Sequence, residues 1–222
     1  MGFNVLIQAC EEVDWKRASQ LGLEELSHNG GMNSVRHSTP FWKAFGGILL
    51  STVQCQACGH ASSRYDMWHC LSISVPDQRT TVEQLLLNHW GLEALTDEYD
   101  HCDQRACGVF AHRTQDTRLV RWPQVLALHL KRWNVISLAP FRAVKISTMV
   151  DFETLLPVGT HVPPYHLRAL LVHQGNAGEG YYTSYVRSVD NAWYYCDDER
   201  SPRLSSTEEV LTAEAYMFFY EQ

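Results

Sequence analysis

Alternating apolar residues in the second half of the chain constrain its fold more than any other feature of the sequence. Leu126, Leu128 and Leu130 alternate with other residues in VLALHLKRW, and the segment 165–171 repeats the pattern. Three further strand-like segments follow, YYTSYVRSV, AWYYC and AYMFFYE. A period of two is typical of a strand with one buried face. Because strands and helices are segregated along the chain rather than alternating, we predict an α+β fold with a mostly antiparallel sheet.

The first half of the chain combines helical segments with further strands. Apolar residues recur at helical spacing over residues 3–16, which predicts an amphipathic helix, whereas residues 27–40 are polar and glycine-containing, which predicts a loop. Strand character begins at Phe45 with GGILLSTVQC, and alternate positions over 65–75 are apolar, which predicts one further strand. A short helix is predicted over 82–89, beginning near Thr80–Thr81.

The composition is that of a globular protein with an acidic balance of charge. The 222 residues are 45% hydrophobic and 19% charged, with a formal net charge of −7. A nucleic-acid partner is not expected, because proteins that bind phosphate backbones usually carry basic faces. A membrane is not expected either, since no apolar run is long enough to cross a bilayer and the start, MGFNVLIQAC, does not form a signal peptide. We therefore expect a cytoplasmic or nuclear protein whose thiols stay reduced.

Two pairs of cysteines flank a compact segment and predict a structural zinc site. Cys55 and Cys58 form a CxxC turn, and Cys102 and Cys107 follow after the predicted short helix. Zinc favours four thiolates at the corners of a tetrahedron, and two local pairs bring them together at little entropic cost. We expect one Zn²⁺ per chain, held by these side chains.

The spacing of the second pair leaves alternatives open. Four residues separate Cys102 from Cys107, whereas two is commoner, so His60 or His101 could replace a thiolate. The paired cysteines could also be small buried apolar residues. A redox role is less favoured, because no thioredoxin-like pattern surrounds the CxxC pair. The remaining cysteines have no partner at ligand spacing and are expected in the core: Cys10, Cys70 and Cys196.

Four stretches, in order, resemble the ubiquitin-specific protease family. The helix that follows the family's DAxEF segment is similar to FNVLIQACEEV, and the family's zinc-bearing fingers are similar to CQACGH, SSRYDMWHCLSISV and YDHCDQRAC. The family's P-x-x-L-x-L-x-L-K-R-F strand resembles WPQVLALHLKRW, with Trp133 where phenylalanine is usual. The C-terminal box that carries the family's catalytic histidine and its carboxylate resembles YHLRALLVHQGNAGEGYYTSYVRS, WYYCDDE and AYMFFYE.

This resemblance implies a papain-like α+β fold of thumb, palm and fingers. It also implies cysteine-type deubiquitination, the hydrolysis of the bond after ubiquitin's C-terminal glycine. On this basis residues 1–44 are a helical remnant of the thumb and a loop, 45–133 are zinc-bearing fingers and palm, and 134–222 complete the palm. With the thumb largely missing, the chain is expected to be a partial ubiquitin-specific protease domain.

Two groups that such a protease needs are absent from the matching positions. The family's nucleophile lies in a GNTCxxNS box ahead of the first matched helix, and no such box occurs in this sequence. The family's G-H-Y-T-x-Y reads GYYTSY over 180–185, so Tyr181 stands at the position of the general base. Phenols titrate near pH 10, about three units above neutrality, and substitute poorly for an imidazole. His173, which matches the histidine of the family's H-x-G, is interpreted as a structural core residue.

The third member of the triad and the loop beside it have matching residues. The family's W-x-x-x-D-D is matched by WYYCDD, which puts Asp197 at the position of the orienting carboxylate. With no imidazole to orient, Asp197 could accept a hydrogen bond from Tyr181. In the family the loop before the histidine lies along ubiquitin's narrow tail, and here it supplies Gly178 and Gly180, followed by Tyr182.

The resemblance and the two losses together predict a catalytically inactive ubiquitin-specific-protease-like domain. Its expected partner is ubiquitin or a ubiquitinated protein, which it would bind weakly because one wall of the cleft is missing. One alternative is part of an active cysteine deubiquitinase that a missing N-terminal Cys box completes. A second alternative is a zinc-stabilised interaction scaffold that does not contact ubiquitin.

Overall fold

The computed structural model describes residues 39–89, 91–95, 102, 107, 113–138, 141–158, 162–176, 179–198 and 200–222. The helix predicted over 3–16 and most of the loop predicted over 27–40 lie outside the described residues. The helices are α1 (Pro40–Phe45), α2 (Val82–His89) and α3 (Thr207–Leu211). The strands are β1 (Gly47–Cys55), β2 (Ala61–Trp68), β3 (Leu71–Ser74), β4 (Thr80–Thr81), β5 (Gly91–Leu95), β6 (Arg113–Arg121), β7 (Val125–Lys131), β8 (Trp133–Leu138), β9 (Phe141–Lys145), β10 (Val150–Asp151), β11 (Leu155–Leu156), β12 (Tyr165–Gly175), β13 (Gly180–Arg187), β14 (Trp193–Asp197), β15 (Arg200–Ser205) and β16 (Ala215–Glu221).

An eight-stranded sheet contains all the strands predicted in the second half of the chain. Its strand order is β15-β14-β13-β12-β16-β7-β3, and β11 pairs with the start of β12. Its pairings are antiparallel except that of β3 with β7. The prediction of an α+β fold with a mostly antiparallel sheet is therefore confirmed.

One face of this sheet carries the hydrophobic core. The alternating leucines of β7, Leu126, Leu128 and Leu130, are at most 1% exposed. Phe218 and Tyr220 on the neighbouring β16 are fully buried in the same cluster. Burial of this one face is what the alternation in the sequence indicated.

The short helix α2 begins where the sequence predicted. The Thr81 hydroxyl accepts a hydrogen bond from the backbone N–H of Gln84 at 3.1 Å and so satisfies one of the unpaired donors of the first turn. Val82, Leu85 and Leu86 are buried and join the core cluster. This helix therefore covers part of the apolar face of the large sheet.

The single strand predicted over 65–75 is wrong: this stretch forms parts of two strands in different sheets. β2 pairs with β1 in a four-stranded sheet of order β2-β1-β6-β5, whereas β3 pairs with β7 in the large sheet. The chain passes from one sheet to the other at His69–Cys70. The sequence pattern does not reveal this break, because Tyr65 and Met67 of β2 are in phase with the buried apolar residues of β3, although Trp68 is the one buried residue of β2.

The loop predicted over 27–40 ends earlier than expected, because α1 begins at Pro40. The Thr39 hydroxyl accepts a hydrogen bond from the backbone N–H of Trp42 at 3.2 Å. A threonine cap followed by proline at the first helical position is a helix-start signal. Trp42 is buried and anchors this short helix.

A two-stranded hairpin of β8 and β9 follows the leucine-rich strand directly. β7 ends at Lys131, so Trp133, which the sequence pattern placed at the end of that strand, begins β8. Several large apolar side chains of the hairpin are exposed: Val135, Ile136, Leu138 and Val144.

Arg132, between β7 and β8, ties the base of this hairpin to the large sheet. Its side chain is 1% exposed. Nε donates to the carbonyl of Ala215 at 2.7 Å, and Nη1 donates to the carbonyls of Ile146 and Thr148, each at 2.8 Å. One guanidinium thus satisfies three backbone acceptors from two segments of the chain.

The described residues contain no helix with the length and apolar character needed to span a membrane.

Candidate functional site

The four cysteines predicted as metal ligands converge at the end of β1. Their sulfur atoms all lie within 4.8 Å of one another. The Cys55 and Cys107 sulfurs are 3.9 Å apart, and the Cys58 and Cys102 sulfurs are 3.6 Å apart. Thiolates around a tetrahedral zinc ion lie about 3.8 Å apart, because each Zn–S bond measures about 2.3 Å. The donor set and its spacing therefore fit Zn²⁺.

A tight turn positions the first pair of thiols. The N–H of Gly59 donates to the carbonyl of Cys55 at 2.9 Å, and the N–H of Cys55 donates to the carbonyl of His60 at 2.9 Å. Gly59 has φ +71°, a conformation that glycine adopts without strain. A hydrogen bond from the backbone of Cys58 contributes most to lowering the pKa of Cys55 to about 7, which favours a thiolate. His60 is not in the metal-binding group, and His101 lies outside the described residues.

Two other cysteines predicted in the core are only partly covered. Cys70 and Cys196 are of intermediate exposure rather than buried, so that prediction is wrong for both. Cys70 lies at the passage between the two sheets, and Cys196 lies on β14, second from the sheet edge. Cys10 lies outside the described residues.

The hairpin of β12 and β13 positions the predicted tail-binding residues. Gly175 and Gly180 close the hairpin opposite each other. A Cβ on Gly180 would lie 2.4 Å from Nε2 of His173 and 2.6 Å from the carbonyl oxygen of Gln174, so only glycine fits there. The backbone of Gly180 is exposed, and Gly178 lies outside the described residues.

Tyr181 does not make the hydrogen bond to Asp197 that the sequence suggested. Its hydroxyl donates to Oε1 of Gln174 at 2.7 Å. Gln174 is its direct partner across the β12–β13 pair, whereas Asp197 is directly opposite Thr183. Direct cross-strand partners have Cβ atoms about 5 Å apart, and diagonal neighbours are about 7–8 Å apart. The amide is therefore the nearer acceptor.

Asp197 remains on the same face of the sheet as Tyr181. Direct cross-strand partners share a face, and so do residues two apart on one strand. The Asp197 carboxylate is 23% exposed and lies 3.7 Å from Nε of Arg200. Beside it, the hydroxyl of Thr183 is buried and has no hydrogen-bond partner among the described residues. The Tyr181 hydroxyl makes no hydrogen bond to either the Asp197 carboxylate or the Thr183 hydroxyl.

Aromatic rings pack around His173 on the opposite face of the hairpin. The His173 ring is 4.9 Å from Tyr182, 5.3 Å from Trp133 and 6.0 Å from Tyr216 between centroids. Tyr182 and Tyr216 are 5.7 Å apart. Tyr182 is 40% exposed, whereas His173 is 6% exposed. The interpretation of His173 as a core residue is confirmed, and its ring supports the exposed Tyr182.

The surroundings of His173 favour a neutral imidazole. Burial lowers its pKa, and the nearby Lys145 ammonium lowers it further. Nζ of Lys145 donates to the backbone carbonyl of His173 at 2.7 Å and lies 3.0 Å from the Glu214 carboxylate. Nδ1 of His173 is buried and has no hydrogen-bond partner among the described residues. A buried, neutral ring of this kind is poorly placed to exchange protons with a substrate.

Sequence reasoning missed three residues of this region. Gln174 gave no signal by residue type, although the register of a hairpin closed by Gly175 and Gly180 puts it opposite Tyr181. Tyr216 is the second residue of the last strand and lies at a register irregularity, which alternation alone does not reveal. Trp133 was noted only as a replacement for phenylalanine, and its contact with the ring of the buried histidine required the structure.

Residues 8–220 match the family model described as ubiquitin carboxyl-terminal hydrolase. The chain is 30% identical over 188 residues to Ubiquitin carboxyl-terminal hydrolase 2 of Gallus gallus, covering 80% of this chain and 51% of that protein. It is 29% identical over 186 residues to Ubiquitin carboxyl-terminal hydrolase 23 of Arabidopsis thaliana, covering 80% of this chain and 21% of that protein. The chain thus spans about half, or less, of the length of these relatives.

Solved structures of SAGA deubiquitinating (DUB) modules have the same fold. A SAGA DUB module bound to monoubiquitin aligns with a TM-score of 0.69 and 27% identity, covering 81% of this chain and 41% of that chain. The SAGA Ubp8/Sgf11/Sus1/Sgf73 DUB module bound to ubiquitin aldehyde aligns with a TM-score of 0.73, covering 99% of this chain and 48% of that chain. The latter chain is 21% identical to this one, so its similarity supports the fold and nothing further. These similarities confirm the ubiquitin-specific protease fold that the resemblance implied.

Proposed function

The chain belongs to the ubiquitin carboxyl-terminal hydrolase family, and on that premise we propose that it is a ubiquitin-binding domain that does not cleave. It would bind ubiquitin or a ubiquitinated protein weakly, through the palm and fingers. The geometry favours this function over hydrolysis because the position matched to the general base carries a phenol.

The hydrogen bond between Tyr181 and Gln174 carries the proposal. A cysteine protease needs a base that deprotonates the thiol and then protonates the leaving amine, together with a group that orients that base. Here the phenol at the matched position is 55% exposed and donates a hydrogen bond to an amide oxygen, while Asp197 lies diagonal to it. In this arrangement the phenol serves as a hydrogen-bond donor. In another hydrolase, loss of the triad histidine lowers kcat by about a million-fold.

The binding surface would centre on the β12–β13 hairpin. We expect the tail of ubiquitin to run along Gly178 and Gly180, where a side chain would obstruct its backbone, and to contact the ring of Tyr182. Support for this comes from the exposed backbone of Gly180 and from the ring of His173, which holds Tyr182 at the surface. A SAGA DUB module of the same fold has been solved bound to monoubiquitin.

Zinc would have a structural role in the fingers. The residues that would hold it are Cys55, Cys58, Cys102 and Cys107, and a closed set of four thiolates leaves no open position for substrate. It would fix the end of β1 relative to the segment that follows α2. Since a site of this kind forms only in the folded chain, binding free energy of the metal would add to folding free energy.

Titration of the isotope-labelled chain with ubiquitin, followed by NMR, tests binding. We expect a dissociation constant on the order of 100 µM, about −5 to −6 kcal/mol, and shifts around Gly180 and Tyr182. Tyr182→Ala should weaken binding several-fold, whereas the control Val189→Ala, at a fully exposed turn between β13 and β14, should not. The absence of shifts at millimolar ubiquitin would reject the proposal.

Two alternatives give different outcomes. If the chain is part of an active deubiquitinase, a longer polypeptide that carries the N-terminal Cys box ahead of these residues will be labelled covalently by a ubiquitin probe with a C-terminal electrophile. If it is a zinc-stabilised scaffold, it will contain about one zinc per chain and show no response to ubiquitin. The ubiquitin-binding domain that we propose contains zinc and binds ubiquitin without being labelled.

A further inference from the structure

The phenol of Tyr181 is held by a residue on the neighbouring strand. Gln174 is its direct partner in the antiparallel pair of β12 and β13, and Oε1 of the amide accepts a hydrogen bond from the phenol hydroxyl, with 2.7 Å between the two oxygens. The side chain of Tyr181 has no other hydrogen bond to the described residues. The amide therefore sets the direction in which the side chain at position 181 points.

Two polar groups on the same face as Tyr181, the Asp197 carboxylate and the Thr183 hydroxyl, receive no hydrogen bond from its phenol. Asp197 makes an ion pair with Arg200 at 3.7 Å, which is longer than a hydrogen bond, and Arg200 is 81% exposed. The hydroxyl of Thr183, directly opposite Asp197, is buried without a partner among the described residues. Both groups lie on the face that Tyr181 occupies: Thr183 is two residues along the same strand, and Asp197 is diagonal to Tyr181 across the strand pair, at a distance that a long side chain can bridge. The phenol thus favours the amide even though a carboxylate is within reach.

We infer that Gln174 is a positioning residue that holds the side chain at position 181 away from Asp197. The residue at position 174 then determines which group the side chain at position 181 contacts. The difference from the family's triad therefore involves Gln174 as well as Tyr181. This inference rests on the proposed loss of the triad, but it concerns only the direction of one side chain and does not depend on whether ubiquitin binds.

The pair predicts how a histidine at position 181 would behave. In Tyr181→His the ring would hydrogen-bond to Gln174, a neutral acceptor, and its pKa would stay near the ordinary value of about 6.5. Removing the amide as well would release the ring to Asp197. A carboxylate within hydrogen-bond reach raises the pKa of an imidazole by about 1 unit or more. Arg200 beside the carboxylate opposes this increase, so the lower end of the range is expected.

NMR titration of the histidines in this chain of 222 residues measures this difference. Four proteins are compared: Tyr181→His, Tyr181→His/Gln174→Ala, the same double variant with Asp197→Asn, and Tyr181→His/Gln115→Ala. The added resonance is identified by comparison with the 11 histidines of the natural chain. The expected order is an ordinary pKa in the first, a pKa higher by about 1 unit in the second, and a return to the first value in the third.

Gln115→Ala is the matched control. Gln115 lies on β6 in the four-stranded sheet, so the same loss of an amide should leave the pKa at position 181 unchanged. The inference is overturned if Gln174→Ala moves the pKa by less than a few tenths of a unit. It is also overturned if the single variant already has a raised pKa that Asp197→Asn lowers, because the ring would then reach the carboxylate with Gln174 in place.

A second measurement on the natural pair does not depend on the histidine variants. In Tyr181→Phe the side-chain amide of Gln174 loses its phenol donor, so its carbonyl carbon and NH₂ resonances should shift from their natural positions. Tyr194→Phe, on β14, removes a phenol outside the pair and serves as the control. Unchanged Gln174 resonances in Tyr181→Phe would show that the amide does not hold the phenol in solution. Neither measurement uses ubiquitin, so failure here is distinguishable from failure of the binding proposal.

Discussion

Replacement of Arg132 by methionine should destabilise the large sheet at the point where the β8–β9 hairpin leaves it. The guanidinium is 1% exposed and donates to three carbonyl oxygens, one at the start of β16 and two after β9. Methionine replaces the aliphatic part of the arginine side chain and fills much of its volume, but it is shorter and donates no hydrogen bond. The three carbonyls would then lie in an apolar site with no donor.

The magnitude follows from two opposing effects. Hydrogen bonds to a charged group contribute about 1.5–3 kcal/mol each, so three contribute roughly 5–9 kcal/mol. Burial of the guanidinium opposes this by several kcal/mol, and the same burial lowers the pKa of Arg132. We expect a net loss of about 2–4 kcal/mol, a large share of the 5–15 kcal/mol that is typical of folded domains.

Urea unfolding followed by circular dichroism measures this loss in free energy. Arg142→Met is the matched control, because Arg142 is an exposed arginine on β9, and its replacement should change stability by less than about 0.5 kcal/mol. Hydrogen exchange should in addition speed up across the hairpin in Arg132→Met alone. A stability within 0.5 kcal/mol of the natural chain would refute the reasoning, since the carbonyls would then not depend on the guanidinium.

Three further outcomes are expected. Gly180→Ala should lower stability by about 1–3 kcal/mol in urea unfolding, because its Cβ would lie 2.4 Å from the imidazole of the facing histidine; unaltered stability would contradict the close approach. Cys58→Ser should reduce zinc content measured by metal analysis and lower the melting temperature, whereas Cys196→Ser should leave zinc content unchanged; equal zinc in both would exclude the site. The pKa of Glu209 is lowered to about 2, chiefly by its hydrogen bonds to Arg203, so the stability that its carboxylate contributes is present above about pH 4.5 and is lost as the pH falls toward 2. The melting temperature of Glu209→Gln should therefore approach that of the natural chain as the pH is lowered over that range. A difference in melting temperature that stays constant with pH would contradict the ion pair.

The large sheet could be predicted because its strands carry a strong local signal. β7 buries its alternating leucines in the core, and the alternation of apolar residues in the sequence is the direct consequence. In β12 the alternation holds only to Leu167, because a register irregularity before Ala169 makes Leu170 the next residue of the core. The passage from β2 to β3 could not be predicted, because the alternation continues while the hydrogen-bonding partner changes from β1 to β7. The β8–β9 hairpin could not be predicted either, since a buried arginine rather than an apolar pattern fixes its base.

Part of the candidate site could likewise be predicted from the sequence, and part could not. The cysteine cluster could be predicted from spacing, because two local pairs of thiols need only one turn each to converge. The hydrogen bond of Tyr181 could not be predicted from residue type, because a carboxylate and an amide are both good acceptors. Strand register decides between them: it puts Gln174 directly opposite and Asp197 diagonal.

Turnover of a fluorogenic ubiquitin conjugate by this polypeptide alone tests the central claim most directly. With a phenol donating to an amide at the position of the general base, we predict a rate at high protein concentration equal to that of buffer, while ubiquitin binding persists in the same sample. An active member of the family, assayed in parallel, provides the reference rate. Release of fluorophore in proportion to the concentration of this chain would contradict the account.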